Sequence, residues 1–312
     1  MNKGRTLRAG DCVGLTAPAS PIEGGRLEIA IQAVEAMGLR VKVGPSSYRS
    51  FGGYLSDTPE NRVCELEAMF CDPDVNAIWC LRGGYGTPQL LDLIDYSIIV
   101  KNPKLFIGYS DITALHTAFM QEACLATLHG PMAAVEPING FDPLSKEYME
   151  RVLFRTEPLG EIVNPLNEAI NCLVPGEASG IIVGGNLSLI CTTLGTAYEL
   201  DTTDKILFLE DVGEEPYQVD RMLTQLALAG KFSDANAIVL GSWEACLPKE
   251  GKESFTVEEI IERIIVPFQK PTLANIQIGH DPTNLPLPLG VRGTVIAHAG
   301  ILRVDESLTK ES

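Results

Sequence analysis

The chain has 312 residues, 45% of them apolar, 6% aromatic and 21% charged, with a formal net charge of −17. This length suits two domains better than one core. The composition is that of a globular chain: no run approaches the ~20 apolar residues of a membrane span, and an acidic balance without a basic stripe argues against nucleic acid as a partner.

In chain order, Cys12–Thr16 is a short apolar run ending at Ala17-Pro18, and Arg26–Met37 has helical periodicity that stops at Gly38. Leu39–Val43 reads as a strand. Asp57-Thr58-Pro59-Glu60 is a helix start, with Asp57 able to cap and Pro59 suited to the first turn of a helix reaching about Cys71. Ala77–Leu81 is a strand that runs into the glycine-rich Arg82-Gly83-Gly84-Tyr85-Gly86. Lys104–Ile107 is another strand, Asp111–Ala123 a helix and Leu125–Leu128 a strand. This alternation predicts an α/β chain whose N-terminal domain, residues 1–152, is a parallel sheet faced by helices. Residues 153–175 lack periodicity, contain Pro158, Pro165 and Pro175, and are expected to form a linker. A mixed α/β C-terminal domain, residues 176–312, then carries strands at Gly180–Val183, Ile206–Leu209 and Ala237–Leu240 and a helix at Tyr217–Ala229. The polar tail beyond Val304 is expected to fray.

The basic start Met1-Asn2-Lys3-Gly4-Arg5 has no apolar stretch after it, so it does not read as a secretory signal. The eight cysteines form no CxxC pair and mostly sit in apolar surroundings, such as Ile78-Trp79-Cys80-Leu81. They read as buried free thiols in a reducing, cytoplasmic compartment.

Parallel sheets gather function at the carboxyl ends of their strands. Ser110 lies at such a place, between an apolar strand and a helix, with Gly108 two residues before it. A serine on that turn exposes its hydroxyl, and the N–H of Asp111 behind it can face an oxyanion. Ile112 stands where a GxSxG motif has its second glycine, so a helix-capping serine is the competing reading. A nucleophilic serine needs a base and a group to orient that base. His116 is six residues on, which turns it away from Ser110 on a helix. His298 belongs to a hairpin. His129 and His280 both stand at strand ends beside a glycine, and the residue pattern does not separate them. Glu210 and Asp211, at the end of the strand Ile206–Leu209, are the best-anchored carboxylates; Glu214 and Glu215 fall in the next loop. The loop Arg82–Gly86 lacks the GK[ST] of a phosphate loop and fails the GxGxxG match. Its glycines would equally let backbone N–H groups approach an oxyanion.

Taken in order, several segments resemble the LD-carboxypeptidase family of serine peptidases. They are Ala17-Pro18-Ala19-Ser20, Tyr54-Leu55-Ser56, Ala77 to Gly86, Gly108 to His116, His129-Gly130-Pro131-Met132, Gly184 to Ser188, Leu209 to Val212, Tyr217 to Leu223 and Gly279-His280. The resemblance implies a triad of Ser110, Glu210 and His280, with the N–H groups of Gly84 and Asp111 as oxyanion hole. It implies an α/β N-terminal domain, a mixed C-terminal domain and a homodimer, and needs neither metal nor organic cofactor. The implied substrate is a small peptide, a cytoplasmic muropeptide from which the terminal D-alanine is removed at an LD bond. Arg82 and Arg221 are candidates to hold the substrate carboxylate, because a guanidinium fork matches it. A branch resembling the microcin C immunity peptidases shares the triad and cleaves aminoacyl-nucleotide conjugates; it typically carries an aromatic-bearing insertion, and none stands near Ala197–Lys205. A non-catalytic binding protein on the same scaffold, or a nucleotide enzyme using Arg82–Gly86, are the other classes in contention.

Overall fold

The computed structural model describes residues 1–311. The chain begins with β1 (Cys12–Thr16), α1 (Arg26–Glu35), β2 (Arg40–Val43), α2 (Pro59–Cys71), β3 (Val75–Cys80), α3 (Tyr96–Lys101), β4 (Leu105–Gly108), α4 (Thr113–Ala123), β5 (Thr127–His129) and α5 (Pro143–Phe154). It continues with β6 (Gly160–Ile162), β7 (Asn171–Val174), β8 (Glu177–Asn186), α6 (Leu187–Thr193), β9 (Ile206–Val212), α7 (Pro216–Leu228), α8 (Lys231–Asp234), β10 (Ala237–Glu244), α9 (Val257–Ile264), β11 (Thr272–Ala274), β12 (Leu287–Leu289), β13 (Arg292–Ile296) and β14 (Ile301–Val304).

Two compact units result. The first comprises Met1–Glu157, Pro286–Gly290 and a C-terminal segment from Ser307; the second comprises Pro158–Leu285 and Val291–Glu306. The first unit's sheet has the order β12-β5-β4-β3-β1-β2, parallel except for β12, which runs antiparallel to β5. β1 and β4 are buried along their whole length, as apolar runs in a parallel sheet covered on both faces must be. From β1 the chain goes to β2 on one side and β3 on the other. The crevice at the carboxyl ends of β1 and β3 is therefore the sheet's topological switch point.

The second unit's sheet has the order β6-β14-β13-β8-β9-β10-β11-β7. Its centre, β8 to β11, is parallel and its flanks are antiparallel. In β9, Ile206 to Asp211 are all buried, so the strand extends past the expected end at Leu209 and takes Glu210 and Asp211 into the sheet.

Helix starts follow local chemistry. Thr58, not Asp57, caps α2 through its bond from the Asn61 N–H; Asp57 instead accepts from Thr58 N–H and the Asn61 amide. Thr256 and Glu259 form a capping box on α9.

Three expectations are corrected, two of them by long-range pairing. Residues 153–175 include β6 and β7, which join edges of the second sheet through β14 and β11. The tail beyond Val304 does not fray over the described residues: Leu308 and Thr309 are buried, and Lys310 bridges to Arg5. Of the cysteines, Cys12, Cys80 and Cys246 are buried, whereas Cys64, Cys71, Cys124 and Cys172 are exposed. Cys64 and Cys71 ride the outward face of α2, and Cys124 ends α4. No helix among the described residues is long and apolar enough to cross a membrane.

Candidate active site

In the first unit, β4 ends at Gly108 and Ser110 opens a short 3₁₀ turn, Ser110–Ile112, that runs into α4. Ser110 adopts φ 63°, a left-handed backbone that a residue with a Cβ occupies at a cost of about 1–2 kcal/mol. Strain of this kind at a strand-to-helix turn lifts a serine hydroxyl out of the sheet. Ser110 is half-buried, while Asp111 next to it is 1% exposed.

The loop after β3 is pressed against this turn. A Cβ added at Gly83 would stand 2.9 Å from the Ser110 Cβ and 3.1 Å from its Oγ. The Asp111 carboxylate accepts the Thr87 N–H at 2.8 Å, and the Thr87 hydroxyl donates to the Asp111 carbonyl. Burial pushes the Asp111 carboxyl up, and the hydrogen bonds from Thr87 and Gly86 and the Arg62 charge pull against it. Arg62, 1% exposed, donates to the carbonyls of Pro18 at 2.7 Å and Gly86 at 3.0 Å, tying the loop after β1 to the loop after β3. Burial lowers its own proton affinity, against the pull of Asp111 and Asp57.

Gly84 has φ 111° and is exposed, and among the described residues neither its N–H nor that of Asp111 donates to a protein acceptor. Arg82 is half-buried; among the described residues its one hydrogen bond is a long one, 3.4 Å, to the Pro21 carbonyl, and its guanidinium lies 3.6 Å from where a Gly84 Cβ would be. The loop after β3 thus brings a backbone donor, Gly84 N–H, and the Arg82 cation beside the turn after β4 that carries the Asp111 N–H, a combination suited to an anionic oxygen.

In the second unit, His280 and Glu210 meet although 70 residues apart: His280 Nδ1 and Glu210 Oε2 are 2.7 Å from each other. Glu210 is 0% exposed and the His280 side chain 14% exposed. A buried carboxylate on Nδ1 assigns the proton to that nitrogen and leaves Nε2 as the basic one. Burial is the main cause that raises the Glu210 carboxyl above its ordinary range; the charge and hydrogen bond of His280 oppose it.

The pair is assembled at the carboxyl ends of neighbouring parallel strands. Glu210 lies beside Asn186 of β8. Ser242 of β10 accepts the His280 N–H at 3.0 Å, and the buried Asn284 accepts the Gly279 N–H at 3.1 Å. Gly279 has φ 137°, and a Cβ there would fall 2.3 Å from Ser242 Oγ and 2.9 Å from Glu210 Oε2. Only glycine lets the chain pass so close behind the imidazole. Asp211, on the opposite face of β9, accepts from the Asn186 amide and from the N–H and hydroxyl of Ser188, which makes it an anchor for the start of α6. Glu215 caps α7 and pairs with Lys249 at 2.7 Å.

The remaining histidines are placed otherwise. His116 is fully buried with Nε2 2.8 Å from the Gly108 carbonyl, and burial lowers its pKa to about 4. His129 is fully buried in β5 between β4 and β12. His298 is exposed in the turn between β13 and β14. Arg221 lies over the Tyr217 ring, 5.8 Å from its centroid, on the wall of an 840 Å³ pocket between α7 and α9 that includes neither His280 nor Glu210. Sequence reading passed over Arg62, because a charged residue in a helix is ordinarily solvated. It passed over Ser242 because its partner, Gly279-His280, lies far along the chain.

Residues 13–130 match the model of the LD-carboxypeptidase N-terminal domain, and residues 179–295 that of the LD-carboxypeptidase C-terminal domain. The chain is 41% identical over 308 residues to a probable murein peptide carboxypeptidase of Bacillus subtilis, covering 96% of this chain and 95% of that one. It is 34% identical over 293 residues to a murein tetrapeptide carboxypeptidase of Pseudomonas aeruginosa, covering 89% and 91%. Among solved structures, the microcin C7 self immunity protein MccF has a TM-score of 0.90 over 99% of both chains at 24% identity, a likeness of fold.

Proposed function

We propose, from the premise that this chain belongs to the LD-carboxypeptidase family and is a carboxypeptidase, that Ser110 is its nucleophile, His280 the base and Glu210 the acid that orients the base. The observation that supports this reading most is the 2.7 Å contact between His280 Nδ1 and the wholly buried Glu210.

Ser110 Oγ attacks the acyl carbon of the scissile bond, and its proton passes to His280 Nε2. The imidazolium so formed is stabilised by Glu210. The N–H groups of Gly84 and Asp111 receive the oxyanion. His280 then hands the proton to the leaving amine, and water, activated by the same imidazole, hydrolyses the acyl-enzyme. The substrate is a murein tetrapeptide, and the bond cut joins the L-centre of diaminopimelate or lysine to a terminal D-alanine. The names of the Bacillus and Pseudomonas relatives support that substrate class. Arg82 is the residue assigned to the D-alanine carboxylate; its guanidinium has no carboxylate partner among the described residues.

A second reading follows from the fold likeness to the microcin C7 self immunity protein: cleavage of an aminoacyl-nucleotide conjugate. The test is mass spectrometry after incubation with an LD-tetrapeptide, a DD-pentapeptide and an aminoacyl sulfamoyl adenosine. The muropeptide reading expects loss of D-alanine from the tetrapeptide alone, abolished in Ser110→Ala. Cleavage of the conjugate with the tetrapeptide left intact would overturn it.

A further inference from the structure

We propose that Ser20 is a positioning residue that sets the direction of the Gly84 N–H, an inference that rests on the oxyanion role assigned to Gly84 above. Ser20 follows β1 and Gly84 follows β3, so the two residues face each other across the switch point of the first sheet.

Ser20 holds the peptide groups on both sides of Gly84. Its N–H donates to the Gly83 carbonyl at 3.3 Å, and its Oγ accepts the Tyr85 N–H at 3.1 Å. A trans peptide is planar, with C=O and N–H pointing in opposite directions. Fixing the Gly83 oxygen toward Ser20 therefore turns the Gly84 N–H away from Ser20. The second bond prevents the next peptide from rotating. Glycine needs such external restraint, because at φ 111° its own torsions have many alternatives of similar energy.

The hydroxyl is itself fixed. It donates to the Tyr54 carbonyl at 2.9 Å, and Ser20 is 8% exposed. This bond ties in the turn Phe51–Leu55, whose Tyr54 ring packs against Tyr85 with centroids 5.8 Å apart. The fit is close: a Cβ on Gly84 would come within 2.2 Å of Ser20 Oγ. On the other side, Asp111 holds Thr87 and the Ser110 Cβ abuts Gly83. The loop is thus pinned from the nucleophile side by Asp111 and from the switch-point side by Ser20. A hydroxyl that served only to satisfy the Tyr54 carbonyl would affect stability and leave turnover alone.

The test compares wild type, Ser20→Ala and Ser20→Thr in three readouts: kcat and KM on an LD-tetrapeptide, Tm, and the rate at which a fluorophosphonate labels Ser110. In that labelling, Ser110 Oγ displaces fluoride from phosphorus and the phosphoryl oxygen takes the oxyanion site. The expected result for Ser20→Ala is a fall of about 10–100-fold in both kcat and labelling rate, with KM changed less than about 2-fold. Ser20→Thr, which keeps the hydroxyl, should restore both rates to within about 3-fold of wild type. A folded Ser20→Ala with wild-type kcat and labelling rate overturns the proposal. If Ser20→Ala does not fold, Ser20→Thr decides: a folded threonine variant slowed 10-fold or more overturns it. Wild-type protein that turns over substrate but is never labelled at Ser110 overturns the serine reading itself, and this proposal with it.

Discussion

The two units hold their candidate catalytic groups by different physical means. In the first, backbone conformation places them: Ser110 at φ 63°, Gly84 at φ 111°, and a loop so close to Ser110 that Gly83 has no room for a Cβ. In the second, burial places them: Glu210 is sealed inside β9 and binds an imidazole that is itself backed by Ser242 and Gly279. A site built from backbone is damaged by adding atoms. A site built from a buried charge is damaged by changing the charge. This asymmetry is open to experiment on both sides.

The largest effect should come from the buried charge. Glu210→Gln keeps the shape but removes the negative charge and offers His280 Nδ1 an amide donor that favours the wrong tautomer, and kcat should fall about 10³–10⁴-fold with near wild-type Tm. An unchanged kcat would show that burial of Glu210 serves only the fold. Gly84→Ala attacks the other side. Its Cβ would collide with Ser20, and kcat should drop about 10²–10³-fold with a stability loss of about 1–3 kcal/mol. Wild-type turnover in that variant would remove the backbone half of the contrast.

Two smaller effects sharpen it. Burial, with the hydrogen bond and charge of Glu244, raises Asp281 to about 6. A carboxyl whose folded pKa is raised binds more protons folded than unfolded, so its contribution is fully present below the unfolded value near 4 and is lost as pH rises through about 6. Asp281→Asn should therefore stabilise the protein at pH 7 to 8, by about 1–2 kcal/mol after allowance for solvent screening, and should not do so near pH 4. Denaturant titrations at the two pH values check this. In the first unit, Ser110→Gly should be inactive and yet more stable by about 1 kcal/mol, a Tm rise of about 2–4 °C, because glycine meets φ 63° without strain. A fall in Tm would mean the serine is not strained.

How far these features were legible in the sequence follows the same division. Strand β1, the Ser110 turn and the glycine loop were readable because they are local: an apolar run, a strand-to-helix boundary, consecutive glycines. The histidine could not be chosen from the residue pattern. His129 and His280 have the same local surroundings in sequence, and the partner of His280 lies 70 residues away. The resemblance to LD-carboxypeptidases supplied that choice beforehand. Glu210 was expected at a strand end, but β9 runs on to Val212 because Asp211 finds partners in Asn186 and Ser188. The strands β6 and β7 were hidden in a proline-bearing stretch, since a short edge strand is defined by what it pairs with. The return of Leu287–Leu289 to the first sheet was invisible for the same reason.

The central claim is that Ser110 and the His280–Glu210 pair act as one catalytic unit. The most direct measurement is kcat for Ser110→Ala, His280→Ala and the double variant on a defined LD-tetrapeptide. Each single change should cost about 10⁴–10⁶-fold, and the double variant should be no slower than the slower of the two. Losses that multiply in the double variant, or a Ser110→Ala enzyme that still releases D-alanine at the wild-type rate, would contradict the account.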